Sequence, residues 1–270
     1  MVAIIPSDRF YNPDDWKMAA ALERIRSDYG KICYIKPKAL LKFGRNEGVG
    51  TSYEDVWQYG GTETFPTTNA IDKLSSSSGS DTTTIVVEGQ TISGSDLTFV
   101  TQTVTLAGQT ETALTTPLAR CTRAYASGAV DLVGDVYVYE DDTVSSGVPQ
   151  TAGKVHMVIK GTEGENQSFK ASTSISSLDY WIITGFYCAV LRKTSAQANF
   201  EMQVREPGGV FRSRLIANAA STAAPTIISI NPPLIVPSNS DFRVRTQAST
   251  TGVDCVAWTN GHLALADRDD

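Results

Sequence analysis

Along the chain the spacing of hydrophobic positions changes once, near residue 50. Before it, Met18, Leu22, Ile25 and Tyr29 recur at spacings of four, three and four, the stripe of an amphipathic helix, and Trp16 extends the apolar face. Asn12 can cap such a helix and Pro13 suits its first position. Asp14 and Asp15 set negative charge on the positive end of its dipole, and Gly30 supplies a left-handed stop. The pattern predicts a helix over residues 13–29. A helix of that length is marginal by itself in water, so its stripe must lie against something: its own β domain, a sister subunit or another protein. The expectation is an anchoring arm, residues 1–50, whose stripe of Trp16, Met18, Leu22, Ile25 and Tyr29 docks on a partner.

From about residue 51 the period becomes two. Thr83–Glu88, Leu97–Leu106, Arg120–Ala126 and Val130–Glu140 read as strands, with Gly-rich turns between them. The run from Ser75 to Asp81 reads as an exposed hairpin tip rather than a linker. Gly161 to Asn166 is polar and Gly-rich, and predicts a boundary between a first β region, 51–160, and a second, 161–270. In the second, Tyr180–Leu191 is the longest apolar run and suits the middle of a sheet, followed by strands at 199–205, 210–216, 226–230, 242–246 and 255–265. Pro232, Pro233 and Pro237 belong in a connection or on a sheet edge, where a missing donor does no harm. Asn260-Gly261 reads as a hairpin turn, with His262 opening the last strand. Strands without intervening helices predict a mainly β protein: antiparallel β-sandwich or jelly-roll domains preceded by an arm with one amphipathic helix.

Composition agrees with a shell-like β protein. The chain holds 55 Ser and Thr residues, whose β-branched or small hydroxyl side chains suit the wet face of a sheet. With a net charge of −6 and its Lys and Arg scattered singly, it lacks the basic footprint of a nucleic-acid binder, so no direct nucleic-acid partner is expected. The residues after Met1 turn polar too soon for a signal sequence, and no apolar run reaches the roughly 20 residues of a membrane span. A protein made and kept in a cytoplasm, at least at first, with no membrane partner, is the expectation. Cys33, Cys121, Cys188 and Cys255 lie too far apart for a zinc motif and read as reduced and buried.

Candidate chemistry is sparse. Two histidines, His156 and His262, offer little for acid–base work, and each reads as a strand residue. Glu54 with Asp55 and Glu140 to Asp142 are carboxylate clusters without the ordered spacing of a calcium loop. Gly48-x-Gly50 lacks the third glycine and the following helix of a phosphate cradle. No nucleophile elbow accompanies a serine. No catalytic residue, metal or cofactor is expected. Trp57, Tyr59 and Trp258 could form a sugar platform, though aromatic residues in strands usually fill a core.

Lys42-Phe43-Gly44-Arg45-Asn46 followed by Glu54-Asp55-Val56-Trp57-Gln58-Tyr59-Gly60-Gly61-Thr62 resembles the opening of uncharacterised β-rich virion proteins of tailed bacteriophages, common in marine phages. The likeness continues through Gln102–Gly108, Arg123-Ala124-Tyr125, the turn at Arg205–Arg212 and the strand entry at Pro237–Arg245. It covers most of residues 42–265 and rests on turns and strands rather than a catalytic signature. The resemblance implies a non-enzymatic virion protein assembled in the host cytoplasm. A capsid decoration or cement protein docked on the major capsid protein is the first expectation, as a homo-oligomer with a trimer favoured. A head–tail connector or tail-fibre accessory protein is the alternative, and a glycan-binding adhesin a further one.

Overall fold

A computed structural model describes residues 15–31, 33–192 and 195–266. In chain order the elements are α1 (Asp15–Tyr29), β1 (Cys33–Val49), β2 (Glu54–Asp55), β3 (Ile71–Ser76), β4 (Thr84–Ser93), β5 (Asp96–Thr105), β6 (Thr112–Leu118), β7 (Arg120–Ala126), β8 (Val136–Glu140), β9 (Val144–Ser145), β10 (Val148–Pro149), β11 (Val155–Ile159), β12 (Ser172–Ser174), β13 (Asp179–Arg192), β14 (Gln197–Arg205), β15 (Arg212–Ala220), β16 (Thr226–Val236), β17 (Asp241–Ala248) and β18 (Val253–Ala266). Short 3₁₀ turns flank β11. The protein is mainly β, with antiparallel sheets and one N-terminal helix, as the periodicity predicts.

Two sandwiches result, and one is inserted into the other. The outer sandwich packs a sheet of order β1-β18-β13-β16 against one of order β12-β17-β14-β15, with β2 beside β12 on β17. That is the double Greek-key order of a jelly roll: eight strands in two four-stranded sheets, with first and last strands adjacent. Its core follows from alternation. Ala198, Phe200, Met202 and Val204 of β14 point inward, against Trp181, Ile183, Phe186, Cys188 and Val190 of β13. Inward positions on β13 change from odd to even numbers because Ile183 to Gly185 spans one residue more than the facing Gly261–Asn260 pair of β18, a bulge that keeps the apolar set on the core side.

The inner sandwich occupies the excursion between β2 and β12. Its sheets, β11-β8-β3-β6 and β5-β4-β7, enclose a separate core of Ile71, Leu74, Ile85, Val87, Leu118, Val136, Val138, Met157 and Ile159.

Several expectations change. The boundary at residue 50 does not separate an arm from a β domain: β1 pairs along its length with β18, closing a sheet of the C-terminal sandwich. The regions 51–160 and 161–270 are therefore not successive domains, and the turn at 161–166 lies near the end of the insertion, where the chain returns to β12. Ser75 and Ser76 are not a hairpin tip but the buried end of β3. There the Ser75 hydroxyl lies 2.9 Å from the Tyr139 hydroxyl and 2.8 Å from the Gly147 carbonyl, and Ser76 donates to Asp81. Asn260-Gly261 does not turn, because it lies inside β18, where a Cβ on Gly261 would sit 2.1 Å from the Ile182 carbonyl oxygen. Pro232 and Pro233 lie within β16, an edge strand, as their lost donors require.

Candidate functional site

The helix stripe is spent on the protein's own surface. Ala21 and Ile25 of α1 are buried against Tyr180 and Ile182 of β13, Ile235 of β16 and Ala264 of β18, on the outward face of the β1-containing sheet. Met18 and Leu22 pack against the same cluster, and the Tyr29 ring lies 5.6 Å from that of Tyr180. Ile25 is fully buried, so the proposed docking stripe is a packing seam: the outward face of β13 is apolar and needs a cover. The side chain of Trp16 lies outside the described residues.

The proposed sugar platform is dispersed. Trp57 is buried, with its ring 5.4 Å from Tyr59 and the Lys170 ammonium 5.6 Å from its centre. Trp258 lies on the opposite side of β1, stacked on Tyr187 at 4.8 Å with planes 12° apart and flanked by Phe43. No single surface joins the three.

The structure does unite charged residues at the joint between the sandwiches. Asp241, at the start of β17, accepts hydrogen bonds from Arg120 Nε of the inner sandwich at 2.7 Å, from Arg205 Nε at 3.0 Å and from the Ser174 hydroxyl at 2.5 Å. Burial opposes ionisation of Asp241, but hydrogen bonds and charge from Arg120, with help from Ser174 and Arg205, hold its carboxyl below the usual range. The Arg120 and Arg205 guanidinium groups each lie over the Phe65 ring, 5.4 and 5.1 Å from its centre, and that ring meets Phe211, over which Arg243 lies at 3.9 Å. Asp55 faces Arg243 at 3.6 Å and accepts from the Glu63 backbone N–H at 2.6 Å. Its burial pushes the carboxyl up to about 6 despite Arg243. Lys170 pairs with Glu63 and donates to the Cys121 and His156 carbonyls, tying the outer sandwich to strands β7 and β11.

Of these residues, Asp55, Arg205, Phe211, Asp241 and Arg243 fall in the segments that carry the resemblance. Asn46 donates to Glu54 and to the Asp55 carbonyl, while Glu54 receives the backbone N–H groups of Gly50 and Gly61. Arg45 clasps Asp254 with two hydrogen bonds and reaches Glu163 at 3.1 Å. At Gly44 an added Cβ would lie 2.1 Å from the Val56 carbonyl oxygen and 2.4 Å from the Ala171 backbone nitrogen, so only glycine lets these backbones meet. Arg205, Phe211, Asp241 and Arg243 complete the joint. Most of these contacts tie strands of the outer sandwich to one another, and Asp241 carries the network across to Arg120 of the inserted one.

Other chemical candidates have structural partners. His156 is buried beside Glu140, its Nε2 2.8 Å from the carboxylate, and burial, with the Lys170 charge, lowers its pKa to about 3, so it is neutral at physiological pH. Asp142 accepts from the backbone and hydroxyl of Thr151. Cys121, Cys188 and Cys255 are buried free thiols, pushed up to about 12 by burial. Among the described residues no group of three or more His, Cys, Asp or Glu side chains could hold a metal ion, and no helix is long and apolar enough to cross a membrane.

No family model matches the chain, and no curated protein is similar to it. Among solved structures, infectious bursal disease virus of the Gt strain aligns at 11% identity over 87% of this chain and 73% of that one, with a TM-score of 0.22. The Gx strain aligns at 7% identity over 87% and 72%, TM-score 0.22. The VP2 subviral particle of that virus aligns at 11% over 85% and 71%, TM-score 0.19. Superpositions this loose carry no argument about function.

Proposed function

We propose that the protein is a non-enzymatic structural component of a tailed-phage particle, a decoration or cement protein on the outside of the head. The carrying observation is the joint: Arg205, Asp241 and Arg243, which fall in the segments that resemble virion proteins, gather where Arg120 of the inserted sandwich meets the jelly roll. A rigid shape, rather than a reactive centre, is what a particle component requires. The jelly roll itself is an architecture of viral capsid and lectin domains, a supporting analogy at the level of fold. Because α1 covers its own sheet, contact with the major capsid protein falls to other surfaces, and self-association as a closed oligomer, a trimer first, supplies the symmetry.

The strand order also favours a second reading, a shell protein in its own right whose inserted sandwich projects from the jelly roll. Heads purified without this protein and then mixed with it distinguish the two. A decoration protein binds preformed heads and saturates at a simple ratio to the capsid lattice. A shell protein leaves no heads when absent, and failure to bind intact heads overturns the decoration reading.

A further inference from the structure

Between the two sandwiches lies a cleft of about 770 Å³, bounded by β1, β4, β7 and β12, within the usual size range of ligand sites. Two buried polar groups in its lining are poorly satisfied. Lys42, 8% exposed, donates from Nζ to the Thr122 carbonyl at 2.6 Å and forms no ion pair with any carboxylate among the described residues. An ammonium out of water with one neutral acceptor is costly unless an anion joins it. Burial, with the nearby charge of Lys170, accordingly lowers its pKa to about 8, which still leaves it charged at neutral pH. Gln90, 3% exposed, donates Nε2 to the Ser174 carbonyl at 2.7 Å, which fixes the orientation of its amide, while its Oε1 has no donor. Phe43, Phe99 and Phe169 line the same cleft, with Phe43 and Phe169 edge to face at 4.9 Å and Phe99 half exposed at the rim.

We propose that this cleft binds a short acidic oligosaccharide, the sugar carboxylate meeting the Lys42 ammonium, a ring hydroxyl donating to Gln90 Oε1, and a sugar face lying on Phe99. An anion alone would leave Gln90 and the aromatic wall unused. A hydroxyl-rich ring bearing a carboxylate uses all three, and the remaining lining adds hydroxyl and amide groups that suit further sugar hydroxyls, with the cations Arg123 and Lys170 set against the carboxylates Glu88 and Asp179. This site is separate from Trp57, Tyr59 and Trp258, and the inference stands whether the protein decorates a head or forms a shell.

The test is calorimetric titration of the full chain with tetrasaccharides of alginate, hyaluronan and polysialic acid, and with neutral chitotetraose and tetraglutamate as controls. At least one acidic sugar binds tighter than about 1 mM, and chitotetraose does not. Lys42→Met, which keeps the stem and removes the charge, weakens that binding at least about tenfold, the scale of one charge-assisted hydrogen bond. Phe99→Ala, at a half-exposed position where folding is unaffected, weakens it severalfold and guards against a misfolded Lys42 variant. No binding of any acidic sugar, equal binding of chitotetraose, preference for tetraglutamate, or indifference to both substitutions overturns the proposal.

Discussion

Replacing Asp241 with Asn tests whether the two sandwiches are locked by charge. The substitution keeps the volume and removes the carboxylate that Arg120 and Arg205 share. The Arg120 side chain is 8% exposed, so its cation is left without a counter-ion and without access to water, whereas Arg205, 27% exposed, can recover hydration. Breaking a buried pair from one side costs roughly 3–5 kcal/mol, and the Arg205 share adds little because that group is partly solvated. At about 2–4 °C per kcal/mol for a protein of this size class, the midpoint of thermal unfolding falls by about 6–20 °C. The companion Arg120→Met costs less, since Asp241 keeps Arg205 and Ser174. Denaturant unfolding followed by tryptophan fluorescence, beside calorimetry, measures both. An Asp241→Asn protein within about 1 kcal/mol of wild type, the range of an ordinary surface change, refutes the lock.

Ile25→Ala removes a fully buried side chain beneath α1 and lowers stability by about 2–5 kcal/mol in chemical denaturation; no change means that the helix does not lie on β13 in solution. Gly44→Ala forces a Cβ into two backbones and leaves little folded protein, measured as soluble yield and circular dichroism, whereas normal yield contradicts the close approach of β1 to the Val56 and Ala171 backbones. Burial raises the Asp55 carboxyl from its ordinary 3.8 to about 6 in the folded protein, so its contribution to stability is fully present below pH 3.8 and is lost as pH rises through 6. Wild type therefore gains stability relative to Asp55→Asn as pH falls from 7 to about 4, and parallel stability–pH curves contradict the raised value. His156, whose pKa falls from 6.5 to about 3 on folding, acts in the opposite sense: its contribution is present above pH 6.5 and drains away toward pH 3. A His156→Gln protein accordingly loses less stability than wild type between pH 6.5 and 4, read from the same denaturation curves.

Local structure was legible in the sequence, and long-range pairing was not. Strands β7, β13 and β14 stand where alternation puts them, and Gly30 ends α1 at a φ of 66° as a left-handed stop should. Alternation says which face of a strand is buried but not which strand lies beside it. The partnership of Phe43 with Trp258 across more than two hundred residues therefore left no local trace, and the insertion of one sandwich into another went unread. Val130 and Val133, expected in a strand, are exposed in a loop, where Asp81 receives the Val133 and Gly134 N–H groups.

The lock had a signal that could have been read. Arg243 and Arg245 alternate with Phe242 and Val244 on β17, so one face of that strand is apolar and the other carries guanidinium groups at every second residue. A row of arginines on a strand otherwise fit for a core asks for a buried carboxylate, and Asp55 meets Arg243. The helix stripe misled for a related reason: an amphipathic helix announces that it needs a cover, and nothing in its own residues tells a neighbouring sheet from a neighbouring protein.

Quantitative mass spectrometry of purified particles, taking the ratio of this chain to the major capsid protein, tests the functional account most directly. A ratio of one or a simple fraction of it is the predicted result for a head-decoration protein. A ratio of a few per cent moves the protein to the connector or tail, its standing as the most abundant shell protein favours the projecting-shell reading, and its absence from the particles contradicts a virion role altogether.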